Sequence, residues 1–292
     1  MDGILIIDKP KGMTSHDVVG KIRKIYNTKK VGHAGTLDPN ATGVLPILIE
    51  KGTKLSKYIM EHNKTYIATI KLGETTDTLD GEGKIVKQSE INEKLLTEDN
   101  IKNVLKSFIG EQVQTPPIYS AIKINGKKLY EYARVGQKVD AEPRKINIYE
   151  ISLEKLNLQK KEINIKVKCS KGTYIRTLCK DISEKLGTVG YMKELRRTEV
   201  NQFAIESSIS LDDLENNKEN EEYLKSKIIS IERIFNGNEK IILNNSKLKH
   251  LLNGVRITYN RPNGMYRIYD ENHKFQGLAT IDNNLLKRDI MI

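Results

Sequence analysis

Apolar residues fall in short runs along the chain, broken by segments rich in glycine, proline and asparagine. Gly3-Ile4-Leu5-Ile6-Ile7-Asp8 predicts a short buried strand, closed by the turn Lys9-Pro10-Lys11-Gly12. Thr14 or Ser15 then caps an amphipathic helix carrying Val18, Val19, Ile22 and Ile25. Residues 31–43, with three glycines and a proline, predict a long shaped loop without regular structure. A buried run Val44–Ile49 and a helix around Lys54–Met60 follow. Residues 64–72 alternate, so Tyr66, Ala68, Ile70 and Leu72 share one face of a strand. Gly73 to Gly83 reads as a polar loop before a strand-like Lys84–Lys87, and a helix is expected over Thr97–Phe108.

The stretch from Gln114 to Arg144 holds a double proline, the turn Asn125-Gly126 and a basic amphipathic piece. It predicts an excursion that presents Lys123, Lys127, Lys128 and Arg134 outward. Strands at Asn147–Lys155 and Glu162–Lys168 lead to Ser170-Lys171-Gly172, where Thr173 caps a helix spaced by Ile175, Leu178, Ile182 and Leu186 and ended by Gly187. Residues 215–223 are polar and predict a mobile loop. After Asn236-Gly237-Asn238 the pieces GVRITY, GMYRIY and FQGLATI suggest short strands. The expectation is an α+β domain over about 1–235, with a mixed or mostly antiparallel central sheet and flanking helices. A small β-rich domain over 240–292 would follow it.

Composition narrows the class. Of 292 residues, 38% are hydrophobic and 30% charged, enough for a core and too apolar for a wholly disordered chain. The longest apolar runs fall far short of the ~20 residues of a membrane span. Asp2 stands where a signal peptide would be basic, so a soluble, cytoplasmic protein is expected. Cys169 and Cys179 are ten residues apart, and His16, His33, His62, His250 and His273 are scattered. With no zinc spacing, no Walker A loop and no GxGxxG, neither a metal nor another cofactor is expected. The net charge of +11 fits a polyanion partner, although charge alone fits a generic basic surface equally well. Thirteen tyrosines, four phenylalanines and no tryptophan suit base stacking.

Two segments could carry chemistry. Asp38 precedes Pro39, which pushes its backbone towards an extended conformation and lets a turn display its side chain. An aspartate before proline is ordinarily just a turn residue, and His33 ordinarily a solvated or packed imidazole. In CSKGTYIRTLCKDISEKLG (169–187), strand, turn and helix start bring Tyr174 and Arg176 to one end of the sheet. A guanidinium fork suits a carboxylate partner, though an isolated arginine more commonly lies at the surface or on phosphate.

IDKPKGMTSHDVV (7–19), GHAGTLDPNATGVL (32–45), KTYIATIKLG (64–73), QTPPIYSAIKINGKKLYEYARVG (114–136), CSKGTYIRTL (169–178) and YMKELRRTEVNQF (191–203), in that order, carry a resemblance to the bacterial tRNA pseudouridine synthase B (TruB) family. It implies isomerisation of the T-loop uridine at tRNA position 55, with the catalytic domain over 1–235. Asp38 would be the nucleophile, Arg176 its ion-pair partner, and Tyr66 a stacking platform or general base. Tyr174 and Leu195 would line the pocket, His33 would fill the space left by the extruded base, Asp80 would make a polar contact and Lys11 would support the active-site loop. The 114–144 insertion, with Lys123 and Arg134, would close on the T-arm. The tail resembles a PUA-like RNA-binding domain that would reach the acceptor stem. A monomer without cofactor, guide RNA or obligate protein partner is implied. The alternatives are a relative acting on another RNA and a noncatalytic tRNA-folding chaperone using the same cleft.

Overall fold

The computed structural model describes residues 2–137, 139 and 141–292, so Lys138 and Asp140 of the 114–144 stretch lie outside the described residues. β1 (Gly3–Lys9) runs to α1 (Ser15–Ile25), where Thr14 and Asp17 form a reciprocal capping box. β2 (Val31–His33), β3 (Thr42–Ile49), a 3₁₀ segment Glu50–Leu55 and α2 (Ser56–Met60) follow. Next come β4 (Lys64–Leu72), β5 (Glu74–Thr76), β6 (Ile85–Gln88), α3 (Glu98–Lys106) and β7 (Gly110–Gln114). The excursion holds the small hairpin β8 (Lys123–Ile124) and β9 (Lys127–Lys128) with α4 (Leu129–Arg134). β10 (Arg144–Asn157), β11 (Glu162–Cys169), α5 (Ile175–Lys185), β12 (Gly190–Val200) and β13 (Phe203–Ala204) complete the centre. α6 (Leu211–Asn216), α7 (Glu221–Ser226), β14 (Ile229–Ser230) and α8 (Ile231–Ile234) lead out of it. The tail contributes β15 (Lys240–Ile242), α9 (Asn245–Leu252), β16 (Ile257–Thr258), β17 (Gly264–Tyr269), β18 (Phe275–Asp282) and β19 (Leu285–Met291).

Residues 3–230 build a ten-stranded sheet of order β14-β1-β3-β12-β4-β11-β10-β7, with β13 beside β12 and β2 beside β3. Every pair is antiparallel except β3 with β12, which run parallel over Arg196–Thr42 and Arg197–Gly43. The expected mixed, mostly antiparallel sheet is therefore present, and its one parallel seam lies at the centre. Tyr66, Ala68, Ile70 and Leu72 join Ile163, Ile165 and Val167 under α3 and α5. Leu5, Ile7, Leu45 and Ile47 pack with Val18, Val19 and Ile22 of α1. Burying each such aliphatic side chain contributes roughly 1.5–3 kcal/mol.

Residues 240–291 form a second, five-stranded sheet with α9 against it. Its Leu278 and Ile290 join Ile4, Ile6, Val44 and Leu48 in a shared apolar cluster. An ion pair of 2.6 Å between Lys57 and Asp289, and a hydrogen bond from the Tyr269 hydroxyl to Glu232, flank this junction.

Several sequence expectations need correction. Residues 31–33 are a strand, because the open edge of β3 supplies backbone partners that outweigh local glycine content. Residues 74–76 pair with 85–88 instead of forming a loop. Residues 215–223 are not simply a loop: they include the end of α6 and the start of α7, capped by Ser210 and Asn220, whose Leu211, Leu214 and Leu224 are buried. Only their polar outer side was visible in the sequence. Thr173 does not cap α5; Tyr174 occupies that position with no side-chain cap, and the Thr173 hydroxyl donates to the Ser170 carbonyl. β12 and α9 were not foreseen.

Gly43 marks the parallel seam. Its φ is +102°, and a Cβ there would stand 2.1 Å from the Arg197 carbonyl oxygen. Gly43→Ala is expected to cost at least about 1–3 kcal/mol from backbone strain alone. Thermal unfolding should register this as a drop of several degrees; an unchanged melting temperature would show that the seam yields without cost.

Candidate active site at the parallel seam

The loop between β2 and β3 carries Asp38, and its shape is held by backbone contacts. The Ala41 N–H donates to the Asp38 carbonyl at 3.1 Å, closing a four-residue turn with Pro39 in its second position. The Leu37 N–H donates to Ser15 Oγ at 2.9 Å, and the Ser15 hydroxyl donates back to the Leu37 carbonyl at 3.2 Å. The Gly12 N–H and the Lys9 ammonium both donate to the Pro39 carbonyl, each at 2.9 Å. Lys9 is fully buried and also donates to the carbonyls of Pro10 and Met13. Burial pushes its ammonium down to about 8, against the pull of Asp38.

Arg197 secures the two ends of the same loop. It is buried, and its guanidinium donates to the carbonyls of Val44 (2.8 Å), Gly35 (3.0 Å) and Thr36 (3.5 Å). Beside it, Arg196 ties β12 to β1 through both carboxylate oxygens of Asp8, at 3.1 and 2.8 Å.

Arg176, in the first turn of α5, is the hub. Its Nε lies 3.2 Å from Asp38 Oδ2, and one terminal nitrogen lies 3.3 Å from Asp80 Oδ2. The other terminal nitrogen donates to the Tyr119 carbonyl at 3.0 Å. Asp80 is oriented by the Thr78 hydroxyl and the Glu82 N–H, both on Oδ1. The guanidinium is nearly inaccessible, whereas 41% of the Asp38 side chain remains open to solvent. Burial nevertheless raises the Asp38 carboxyl above its ordinary range; Arg176 and Lys9 pull it back and Asp80 pushes it further up.

Tyr66 is buried in the cluster that holds Leu37 and Ala41, with Leu195 packed against it. Burial pushes its phenol up, with the Arg197 guanidinium opposing, so the neutral ring prevails. His33 is half-buried on β2; its Nδ1 has no hydrogen-bond partner, and burial lowers its pKa, keeping the imidazole neutral at pH 7. Tyr174 is half-buried at the N-cap of α5. Lys123 and Arg134 are exposed on the excursion, Arg134 lying 5.2 Å from the centre of the Tyr130 ring. Lys11 is exposed at the tip of its turn. The lysine that supports the Asp38 loop is Lys9, two residues earlier, because strand β1 points it inward beneath Pro39.

Lys9 and Arg197 were missed by sequence reading. Leu195 and Arg197 lie two residues apart, so a strand over 190–200 would have signalled a charge on an apolar face. Among the described residues, no three His, Cys, Asp or Glu side chains gather as a metal site, and no helix is long and apolar enough to cross a membrane.

Comparison with known proteins gives the family of the chain. Residues 23–175 match the TruB family pseudouridylate synthase (N terminal domain), 176–236 the tRNA pseudouridylate synthase B C-terminal domain, and 240–288 the pseudouridine synthase II TruB C-terminal region. The chain is 46% identical to tRNA pseudouridine synthase B of Clostridium novyi and 43% identical to that of Caldanaerobacter subterraneus, each over 98% of both chains. A chain in the crystal structure of a Cbf5-Nop10-Gar1 complex superposes with a TM-score of 0.70 at 27% identity, covering 95% of this chain and 78% of that one. An H/ACA RNP bound to a substrate RNA shares the fold, with a TM-score of 0.71 at 24% identity, over 99% of this chain and 85% of that one.

Arg197→Lys tests the loop clamp. A single ammonium cannot reach all three carbonyls, and each buried carbonyl left unpaired costs about 1–3 kcal/mol. Denaturant unfolding should show a loss of about 2–4 kcal/mol; retention of wild-type stability would mean that the loop is held without this clamp.

Proposed function

The chain belongs to the TruB family of pseudouridylate synthases, and from that premise we propose that it converts the T-loop uridine at tRNA position 55 to pseudouridine, using Asp38 as nucleophile on a base swung out of its stack. Membership makes it a tRNA pseudouridine synthase, an isomerase. The observation that carries the finer reading is the Asp38–Arg176 pair: a solvent-reachable carboxylate on a stiff turn, aimed by a buried guanidinium at 3.2 Å.

The reaction breaks the N1–C1′ bond and forms C5–C1′; the proton on C5 leaves to solvent and N1 gains one. No atom is oxidised. A carboxylate serves such chemistry by attack on the nucleoside, as in glycosidic catalysis. The ion pair holds that carboxylate in one orientation, so little entropy is lost on reaching the reactive geometry. Unstacking the base costs a few kcal/mol. The neutral His33 ring, half-buried at the end of β2, fills the vacated space in the RNA loop. Tyr66 supplies a face for the base, a role that suits its neutral phenol better than proton abstraction does. Tyr174 and Leu195 line the pocket.

Affinity comes from phosphate contacts. The insertion offers Lys123, Lys127 and Arg134, all exposed, and the tail carries eight basic residues against four acidic over 241–292. Both fit the backbone of a folded tRNA, the tail on the acceptor stem, with binding that weakens as salt rises. The enzyme acts on tRNA directly, as a monomer without guide RNA.

Asp38→Asn is expected to reduce tritium release from a tRNA transcript labelled at uridine C5 by about 10³-fold or more while RNA binding persists. Normal turnover in that variant would remove Asp38 from the chemistry. Because only the ionised acid attacks, activity should fall as pH drops through the raised pKa of Asp38. The acid limb of the rate profile should therefore sit above the ordinary carboxylate value of about 3.9; a rate that stays level down to that value would contradict the assignment.

A further inference from the structure

α5 lacks a side-chain cap of its own, yet its first turn carries Arg176. Gln114, the last residue of β7 and almost wholly buried, instead holds the N-cap residue itself from sixty residues away. Its Oε1 accepts from the Tyr174 N–H at 2.8 Å, and its Nε2 donates to the Tyr174 carbonyl at 3.0 Å. One amide thus satisfies both main-chain groups of the N-cap residue, a two-point contact that fixes direction as well as distance. The chain after Gln114 repeats the attachment. The Thr177 hydroxyl donates to the Thr115 carbonyl at 3.4 Å, and Arg176 donates to the Tyr119 carbonyl at 3.0 Å. Residues 114–119 therefore form a strap across the first turn of α5, with Pro116 and Pro117 buried between its contacts.

We propose that Gln114 is a positioning residue for the reaction: its amide seats the first turn of α5 so that Arg176 meets Asp38, and it does so at the root of the RNA-gripping insertion. The strap continues directly into that insertion, where Ser120 and Ile122 accept from the N–H groups of Tyr130 and Leu129. The role rests on the assignment of Asp38 and Arg176 above. It concerns turnover and not affinity, since Gln114 is too buried to touch RNA.

The test is single-turnover tritium release from a tRNA transcript labelled at uridine C5, with filter binding of the same transcript in parallel. Gln114→Leu keeps the volume and removes both hydrogen bonds. Its rate should fall by about 30–100-fold, the scale of a misplacement near 1 Å, with affinity changed less than about threefold. In an Arg176→Lys background the same substitution should cost no more than about threefold, because the group it positions is already gone. An unchanged rate in the folded variant, or an equal loss in both backgrounds, overturns the proposal. Should Gln114→Leu fail to fold, Gln114→Glu carries the test. It retains the acceptor for the Tyr174 N–H, sets a carboxylate against the carbonyl, and should lose about tenfold with the same dependence on background. Asp38→Asn assayed alongside separates the two readings. Activity in that variant defeats the site assignment itself, whereas an inactive Asp38→Asn beside fully active Gln114 variants defeats only the positioning role.

Discussion

One guanidinium holds this site together. Arg176 spends its three nitrogens on Asp38, Asp80 and the Tyr119 carbonyl, groups that come from three separate stretches of chain. A planar fork with three nitrogens can reach all three at once; an ammonium on a flexible stem could not. The same cation must also keep two carboxylates from repelling one another. Burial and Asp80 both raise the Asp38 carboxyl, and Arg176 is the largest opposing influence. The carboxyl is thus paired without being locked away, since its partner is buried and it is not.

Beneath the Asp38 loop, buried positive charge is solvated by carbonyls instead of being paired with carboxylates. Lys9 donates to three carbonyls, Lys64 to those of Met60 and His62, and Arg197 to three more. A carboxylate at any of these places would form a tighter pair but would also cancel the field. Carbonyl ligands rigidify the Asp38 loop and leave net positive charge under it, which favours both the ionised acid and an approaching polyanion. Desolvation is the cost, visible in the lowered ammonium values of about 8 for Lys9 and Lys64.

The sheet explains why these parts converge. The parallel seam between β3 and β12 places the loop entering β3 against the strand that carries Leu195, Arg196 and Arg197. From the other side, β11 turns through Gly172 into α5 and brings Arg176 back across the sheet. Gly43 lets the two backbones approach at the seam, where a Cβ would meet the Arg197 carbonyl. The tail sheet shares an apolar cluster with β1 and β3, which anchors it beside the main sheet.

Local pattern determined a good deal. The alternation of 64–72, the spacing of Val18 to Ile25, the Asp38-Pro39 bend and the turn before α5 are set by a residue and its near neighbours, and each is present. So is the display of Asp38 from a tight turn. What the residues could not show alone was anything requiring a partner from elsewhere in the chain. β12 is rich in charge and reads as surface, yet it is central, because Arg196 finds Asp8, Glu199 accepts from Thr65 and Arg197 finds carbonyls. Lys9 rather than Lys11 supports the loop because β1 aims it inward, and Gln114 matters only because Tyr174 lies opposite. Polar side chains in an interior owe their place to hydrogen-bond partners, and here those partners are brought in across as many as 162 residues, from Arg197 to the Gly35 carbonyl, a relation that no short window of sequence contains.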